Sequence, residues 1–243
     1  KSKSNDLAAV IIEPVLGGGG CIPATKEYLV GIEEFCHKNN SLSILDEIVT
    51  GFRFRYGCMY NTMKLDPDIV TLGKIVGGGF PIGVICGKNE YMNYANTSTF
   101  SKSNRAYIGG GTFSANPLTM IAGNSTLATI KNKGNILYRK LNEFGTETRK
   151  MLDKKFNGDV ITTGIGSLFL THFLSNSITD IKNASDASKC SIKKLHDYHF
   201  HMIANDGIFF MPGKLGAFSD MHTKSDIINM AKSTDGFLTK FKK

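Results

Sequence analysis

Residues 68–83 read Asp-Ile-Val-Thr-Leu-Gly-Lys-Ile-Val-Gly-Gly-Gly-Phe-Pro-Ile-Gly, so that Lys74 stands between a short apolar run and a glycine loop. Upstream, Asp46 ends a second apolar run within Ser-Ile-Leu-Asp-Glu-Ile-Val-Thr-Gly-Phe-Arg, residues 43–53. Short continuous apolar runs are typical of strands buried on both faces of a parallel sheet. Such sheets bind ligands beyond the carboxyl ends of their strands. We therefore expect Asp46 and Lys74 at the ligand-binding edge of two neighbouring strands.

A lysine and an aspartate in these positions are what pyridoxal 5'-phosphate (PLP) chemistry requires. The lysine amine forms a Schiff base with the aldehyde, and the carboxylate pairs with the protonated pyridine nitrogen and keeps the ring an electron sink. The amine must be neutral to attack, so we expect a desolvated Lys74. The alternatives are a solvated surface charge for Lys74 and a turn or helix-capping role for Asp46. The apolar runs and the flanking glycines favour the cofactor roles.

Four segments carry a resemblance to a known family. They are Ile-Ile-Glu-Pro-Val (11–15), Leu-Asp-Glu-Ile-Val-Thr-Gly-Phe-Arg (45–53), Leu-Gly-Lys-Ile-Val-Gly-Gly-Gly-Phe-Pro-Ile-Gly (72–83) and Gly-Thr-Phe-Ser-Ala-Asn-Pro-Leu (111–118). Through them, residues 8–123 resemble the class III aminotransferases of the fold-type I PLP enzymes, and most closely the glutamate-1-semialdehyde 2,1-aminomutase branch. The resemblance continues more loosely to the C-terminus.

The resemblance implies a role for each of five residues. Lys74 is the catalytic residue and the covalent anchor of PLP, and Asp46 is the partner of the pyridine nitrogen. Ile48 lies two residues after Asp46, on the same side of an extended chain, and packs against one face of the ring or belongs to the core. Gly111 and Thr112 reach the cofactor phosphate of the neighbouring subunit, which implies a homodimer with shared active sites.

The implied activity is PLP-dependent transfer of an amino group to or within a small amino or keto compound, as in an aminomutase or a related class III transaminase. Leu16-Gly17-Gly18 stands where many class III enzymes have Gln-Gly-Glu, and Pro212-Gly213-Lys214-Leu215-Gly216-Ala217 replaces a Phe-Glu-Ala-Gly motif of the aminomutases. The substrate therefore stays open. A class III aminotransferase with another donor and acceptor and a non-catalytic remnant of the fold are the alternatives.

Strand and helix patterns alternate along the first half of the chain. Strands are predicted over 7–13, 42–45, 68–72 and 82–86, the last in either direction, and a helix over 26–39. This alternation predicts an α/β fold with a mainly parallel sheet. We expect residues 1–134 to be the C-terminal part of the PLP-binding large domain and 135–243 to be a small α+β domain. Further helices are predicted over 117–131, 135–156, 188–206 and 224–241, two strands within 158–175, and one over 208–211.

Composition narrows the class of protein. With 243 residues, 41% hydrophobic and 21% charged, the chain has an ordinary globular balance. No apolar stretch approaches the roughly 20 residues of a membrane helix, and no signal peptide is evident, so we expect a cytoplasmic protein without membrane partners. Five cysteines without a Cys-x-x-Cys pair indicate reduced thiols. Because family members are longer upstream, where the phosphate loop and the ring-stacking residue lie, we expect an N-terminally truncated chain.

Two further binding functions are expected to be absent. The net charge of +8 raises the question of nucleic acid, but the lysines are scattered and no aromatic-basic stripe accompanies them. His196, His199 and His201 lie on one predicted helix, where histidines can share a metal ion. No cysteine or acidic cluster joins them. We expect neither a nucleic-acid partner nor a metal site, and we expect these histidines on a partly exposed helix face.

Overall fold

The computed structural model describes residues 6–96, 98, 105–107, 111–175 and 178–241. The chain divides into two compact units, Lys1–Pro14 with Ala24–Gly134 and Val15–Pro23 with Asn135–Lys243. In chain order the elements are β1 (Ala9–Ile12), β2 (Val15–Leu16), β3 (Ile22–Pro23), α1 (Lys26–Lys38), β4 (Leu42–Asp46), α2 (Met59–Met63), β5 (Ile69–Gly73), β6 (Gly83–Gly87), α3 (Asn89–Met92), α4 (Pro117–Phe156), β7 (Val160–Thr163), β8 (Leu168–Phe173), α5 (Ala184–Ser188), α6 (Ile192–Asp206), β9 (Gly216–Ala217) and α7 (Lys224–Phe241).

The first unit contains a four-stranded sheet in the order β1-β4-β5-β6. Strands β1, β4 and β5 are parallel, and β6 runs antiparallel to β5. Leu29 of α1 packs with Leu45 and Val70 in a hydrophobic core cluster. Thr25 caps α1 by accepting a hydrogen bond from the Tyr28 N–H at 3.2 Å. The predicted mainly parallel sheet is confirmed, and the open direction of β6 is resolved as antiparallel.

A buried carboxylate fastens the amino ends of β4 and β5. Asp68 Oδ2 accepts hydrogen bonds from the Ser43 N–H at 2.9 Å and the Ser43 hydroxyl at 3.0 Å. Its Oδ1 accepts one from Lys88 Nζ at 3.0 Å. Burial alone would raise the pKa of the Asp68 carboxyl, but the Ser43 and Lys88 donors hold this pKa below its usual range. This network lies at the opposite end of the two strands from Asp46.

Helix α4 is two helices joined at Gly134, which has φ 54° and ψ −144°. The sequence predicted this break, with one helix ending near Lys131 and the next beginning at Asn135. Residues 117–133 belong to the first unit and residues 135–156 to the second. The expected 1–134 domain therefore differs from the first unit by Val15–Pro23. The assignment of the units to a PLP-binding large domain and a small domain stays a prediction.

The second unit has an antiparallel sheet, β7-β8-β9, beside an aromatic core. Phe156, Phe173, Tyr198 and Phe237 meet edge to face, with ring centroids 5.1–6.3 Å apart. The buried Tyr198 hydroxyl hydrogen-bonds to Thr234 Oγ1 at 2.8 Å. These rings join α4, β8, α6 and α7 in one aromatic core.

Two expectations for the second unit are wrong. The strand predicted over 208–211 is absent. Phe210 packs on the rings of Phe169 and His199 and does not pair with a neighbouring strand. The strand that pairs with β8 on this side is β9. His199 and His201 are buried, against Phe210 and Phe237 respectively, and do not lie on an exposed helix face. Burial lowers the pKa of His199 to about 4. In the part of the chain that the structure describes, no three potential ligands are grouped as a metal site.

The glycines at 17–20 form the tip of a short hairpin, in which β2 pairs antiparallel with β3. The Gly20 carbonyl accepts hydrogen bonds from His172 Nε2 at 3.0 Å and Thr163 Oγ1 at 2.5 Å. Burial lowers the pKa of His172, so the ring stays neutral and donates through Nε2. These bonds hold the hairpin in the second unit. Among the described residues, no helix combines the length and apolar character needed to cross a membrane.

Candidate functional site

Asp46 and Lys74 lie at the same edge of the four-stranded sheet. Asp46 is the last residue of β4 and stands in register with Thr71 of the parallel strand β5. Lys74 directly follows the last residue of β5. It is three residues beyond Thr71, which corresponds to about 10 Å along the strand direction. The sheet therefore brings a carboxylate and an amine to one edge, separated by a length that a small ring can span.

One oxygen of Asp46 is fixed and the other remains available. Oδ1 accepts a hydrogen bond from the Ile48 N–H at 3.0 Å, and this closes a short turn just after the strand. Oδ2 makes no hydrogen bond within the described residues. The side chain is half-buried. It is therefore oriented by its own chain while it keeps a free acceptor for a cationic or N–H group.

Lys74 has a left-handed backbone conformation, with φ 50°. It begins a single turn of 3₁₀-helix, Lys74–Gly77. A non-glycine residue in this region costs on the order of 1–3 kcal/mol, and such strain clusters at functional sites. The side chain is exposed, not desolvated as the sequence led us to expect, because no described segment covers the strand end at this point.

The glycines beside Lys74 allow close contact with neighbouring backbone and side chains. A Cβ added at Gly73 would lie 3.3 Å from Ile48 Cγ2, so the Ile48 side chain rests on the residue just before Lys74. A Cβ at Gly78, where φ is +61°, would lie 2.4 Å from the Ala122 carbonyl oxygen in α4. A Cβ at Gly123 would lie 2.3 Å from the Val76 carbonyl oxygen. The turn after Lys74 therefore packs backbone to backbone on α4, and this contact fixes its position.

This packing predicts opposite effects of two helical Gly→Ala changes. Gly123→Ala should destabilise the protein by about 1–3 kcal/mol, because the added methyl overpacks against the Val76 carbonyl. Gly31→Ala in α1, where no atom lies within 4 Å of the added Cβ, should stabilise it by up to about 1 kcal/mol. Chemical denaturation of both variants measures the difference. Equal stabilities would contradict the close contact of Gly123 with the Lys74 turn.

Gly111 and Thr112 line a different cleft of the first unit. This cleft has a volume of about 600 Å³ and is formed by Pro81 to Val84 together with residues 111–116, Thr119 and Met120. Both Gly111 and Thr112 are exposed. The same cleft includes Gly83, which pairs with Gly73, the residue before Lys74. The structure thus brings Asp46, Ile48 and Lys74 to one strand edge and places Gly111 and Thr112 in a cleft that also includes the strand paired with Gly73.

The second unit holds a cavity that no sequence pattern pointed to. It has a volume of about 420 Å³ and is lined by Gly18, Gly19, Gly20, Leu170, Thr171, His172, Phe173, Ala184, Ala187, Ser188, Cys190, Ser191, Ile192, Leu195 and Gly213. Most of this lining is apolar. Burial raises the pKa of the Cys190 thiol, so its side chain is a neutral, weak donor and not a reactive thiolate. The strand edge at Asp46 and Lys74 remains the better candidate for chemistry.

The sequence of the chain matches a family model. The model described as Aminotransferase class-III covers residues 1–186. The chain belongs to the class III aminotransferase family. This confirms the resemblance that the four segments around Asp46, Lys74 and Thr112 indicated.

Curated relatives of this class III aminotransferase chain are named glutamate-1-semialdehyde 2,1-aminomutase. The protein of that name from Sulfolobus acidocaldarius is 34% identical over 229 residues, which is 93% of this chain and 52% of the relative. The one from Wigglesworthia glossinidia brevipalpis is 37% identical over 230 residues, 92% of this chain and 50% of the relative. The chain therefore spans about half the length of the curated relatives that it matches.

Solved structures agree on the fold. A β-phenylalanine aminotransferase from Variovorax paradoxus matches 98% of this chain and 53% of its own, with a TM-score of 0.83 and 26% identity. A glutamate-1-semialdehyde aminomutase from Pseudomonas aeruginosa PAO1 matches 97% of this chain and 52% of its own, with a TM-score of 0.81 and 20% identity. The predicted α/β fold of the fold-type I PLP transferases is confirmed.

Proposed function

We propose that the protein carrying this chain is a PLP-dependent enzyme that transfers an amino group, as a glutamate-1-semialdehyde 2,1-aminomutase or a related class III transaminase. The observation that carries this proposal is the placement of Asp46 and Lys74 at adjacent ends of two parallel strands in a class III aminotransferase chain. The names of the relatives favour the aminomutase. The absence of Gln-Gly-Glu at residues 16–18 leaves another donor and acceptor as the alternative.

The residues at this edge fit the groups of PLP that need partners. The free Oδ2 of Asp46 suits a protonated pyridine nitrogen, because a half-buried carboxylate is stabilised by an adjacent cation. The side chain of Ile48 lies over Gly73, the residue before Lys74, and offers an apolar surface for a ring face. The exposed amine of Lys74 suits the aldehyde. We assign these three residues to cofactor binding.

When bound, PLP supplies an electron sink that stabilises the negative charge left on a carbon after it loses a proton. Lys74 Nζ would hold the cofactor until the substrate amine displaces it, and the freed amine would then take the proton from the substrate carbon and return it to another carbon. An arginine could not do this, because it stays protonated. Asp46 would place its carboxylate beside the ring nitrogen. Ile48 would hold the ring plane in one orientation relative to Lys74.

We also propose a homodimer with shared active sites in the cytoplasm, without membrane or nucleic-acid partners. Gly111 and Thr112 are exposed on the surface of the first unit, which suits residues that contact the cofactor phosphate of the neighbouring subunit. Large apolar side chains near them are exposed in the described chain, with 81% of Phe113, 67% of Leu118 and 68% of Ile121 accessible. A contact surface for a second copy accounts for such exposure.

Borohydride trapping tests the proposed function. The protein carrying this chain is loaded with PLP, reduced and digested, and we expect the added mass on the peptide that contains Lys74. In unreduced protein, consumption of glutamate 1-semialdehyde is followed with and without an added keto acid. Turnover without it supports the aminomutase, and turnover only with it supports the transaminase. Failure to bind PLP supports a non-catalytic remnant, and labelling of another lysine removes the assigned site.

A further inference from the structure

Glu47 lies between the two proposed cofactor residues Asp46 and Ile48, and its carboxylate is fully buried, with 0% of the residue exposed. Oε2 accepts hydrogen bonds from the Thr50 hydroxyl at 3.0 Å and the Met59 N–H at 2.7 Å. Oε1 accepts one from the Tyr60 N–H at 2.8 Å. A buried carboxylate is tolerated when its oxygens are satisfied in this way.

The donors tie the end of β4 to a distant part of the chain. Met59 and Tyr60 are the first two residues of α2, whose N–H groups have no partner inside the helix. Glu47 therefore caps α2 from twelve residues away, and Cys58, the residue before the helix, makes no side-chain cap. The capped helix and the preceding loop are thereby held against the strand end.

The backbone of Glu47 is fixed by the sheet at the same time. Its N–H donates to the Thr71 carbonyl at 2.9 Å, which extends the pairing of β4 with β5 one residue past Asp46. Its carbonyl accepts from the Gly51 N–H at 2.8 Å. Gly51 is required at this contact, because an added Cβ would lie 2.8 Å from that carbonyl oxygen and 2.6 Å from Leu72 Cδ2. Backbone and side chain of Glu47 thus anchor one turn at both ends.

We propose that Glu47 is a positioning residue of the cofactor site, an inference that rests on the proposed function. It does not face the cofactor. It fixes the turn from Asp46 to Ile48, so that the Asp46 carboxylate and the Ile48 side chain keep their directions relative to Lys74. Without the three hydrogen bonds the turn gains conformational freedom, and binding PLP must then order it again.

A purely structural role would give a different result. If Glu47 only stabilised the fold, its loss would lower the melting temperature while the folded fraction bound PLP unchanged. A positioning role changes the affinity of the folded protein for PLP. It also changes the pH dependence of the visible absorption of bound PLP, because the distance from Asp46 to the ring nitrogen is no longer held. The absorption of the bound cofactor distinguishes the two roles.

The experiment compares Glu47→Gln and Glu47→Asp with Glu33→Gln in the protein carrying this chain. Gln keeps the size but loses one acceptor oxygen, and Asp keeps the charge but falls short of the donors. Glu33 is the control, because its carboxylate also accepts a backbone N–H from a distant segment, that of Asp66 at 3.0 Å in the loop before β5. PLP affinity is measured by absorption titration of each apoprotein, and the titration is repeated across pH.

We expect Glu47→Gln to raise the Kd for PLP about 10- to 100-fold, as the loss of one or two hydrogen bonds to a charged group would. Glu47→Asp should lie between it and the wild type, and Glu33→Gln within about twofold of the wild type. Wild-type affinity and pH profile in Glu47→Gln, with only a lower melting temperature, would overturn the proposal. If Glu47→Gln does not fold, Glu47→Asp decides by the same criterion. A wild-type protein that does not bind PLP would overturn the proposed function itself, and this proposal with it.

Discussion

Replacement of Lys74 by alanine should lower the turnover of the PLP-loaded protein by more than about 10⁴-fold. A positioned proton-transfer group alone supplies about 10²- to 10⁴-fold, and Lys74 is proposed to hold the cofactor as well. The loss should appear in kcat, because the contacts proposed between the cofactor ring and Asp46 and Ile48 remain. Steady-state kinetics of the purified variant, with saturating PLP, measures it.

Lys64→Ala is the matched control for this change. Lys64 is also exposed and also has a left-handed backbone, with φ 56°. The two variants therefore share the loss of an exposed lysine side chain at a left-handed backbone position, and they differ in place. We expect Lys64→Ala to keep wild-type turnover, and we expect a small primary amine added to the buffer to restore part of the turnover of Lys74→Ala. Full activity of Lys74→Ala without added amine would place the proton transfer elsewhere.

The sequence predicted the first unit well because its signals are local and agree with each other. The apolar stripe of α1 and the apolar runs that end at Asp46 and Lys74 each have one interpretation, a helix on a parallel sheet. Parallel pairing then places the carboxyl ends of neighbouring strands at one edge of the sheet, independently of the length and conformation of the loops. Asp46 and Lys74 could therefore be brought together without coordinates.

The features that the sequence did not reveal depend on distant partners. The hairpin at residues 15–23 contains four consecutive glycines, and its position is set by His172 and Thr163, far away in the chain. The burial of His199 depends on Phe210, and a run of apolar residues such as 208–211 does not show whether it pairs or packs. Tertiary contacts override the local pattern in both cases.

The sequence predicted which residues form the candidate site, but it did not predict their contacts or backbone conformation. The match to Leu-Asp-Glu-Ile-Val-Thr-Gly named Asp46 and Ile48, yet nothing local shows that Glu47 reaches the N–H groups of α2. The glycines after Lys74 were interpreted as favouring a cofactor role for the lysine, and the structure gives them a packing reason, the close approach of Gly78 to α4. The left-handed conformation of Lys74 also has no signal in the residue type, since this region favours glycine.

Replacement of Asp46 by asparagine should lower kcat by about two to four orders of magnitude and leave the protein folded. Asparagine keeps an oxygen that accepts the Ile48 N–H, so the turn after β4 survives, and only the negative charge is lost. Loss of one partner of a desolvated ion pair costs about 3–5 kcal/mol, which corresponds to this range. Asp46→Ala loses both the charge and the turn bond and should be less active still. Steady-state kinetics and the absorption of bound PLP measure the two variants.

Asp68→Asn is the control for Asp46→Asn, because it removes a carboxylate from the sheet and not from the candidate site. Asp68 is a more deeply buried carboxylate between the same two strands, but at their amino ends, where it binds Ser43 and Lys88. Its replacement should lower the melting temperature and leave kcat of the folded fraction unchanged. Asp46→Asn should do the reverse, because a half-buried side chain with a free oxygen contributes little to stability. If Asp46→Asn lost stability and kept its turnover, the carboxylate would serve the fold, and the ring nitrogen would require a different partner.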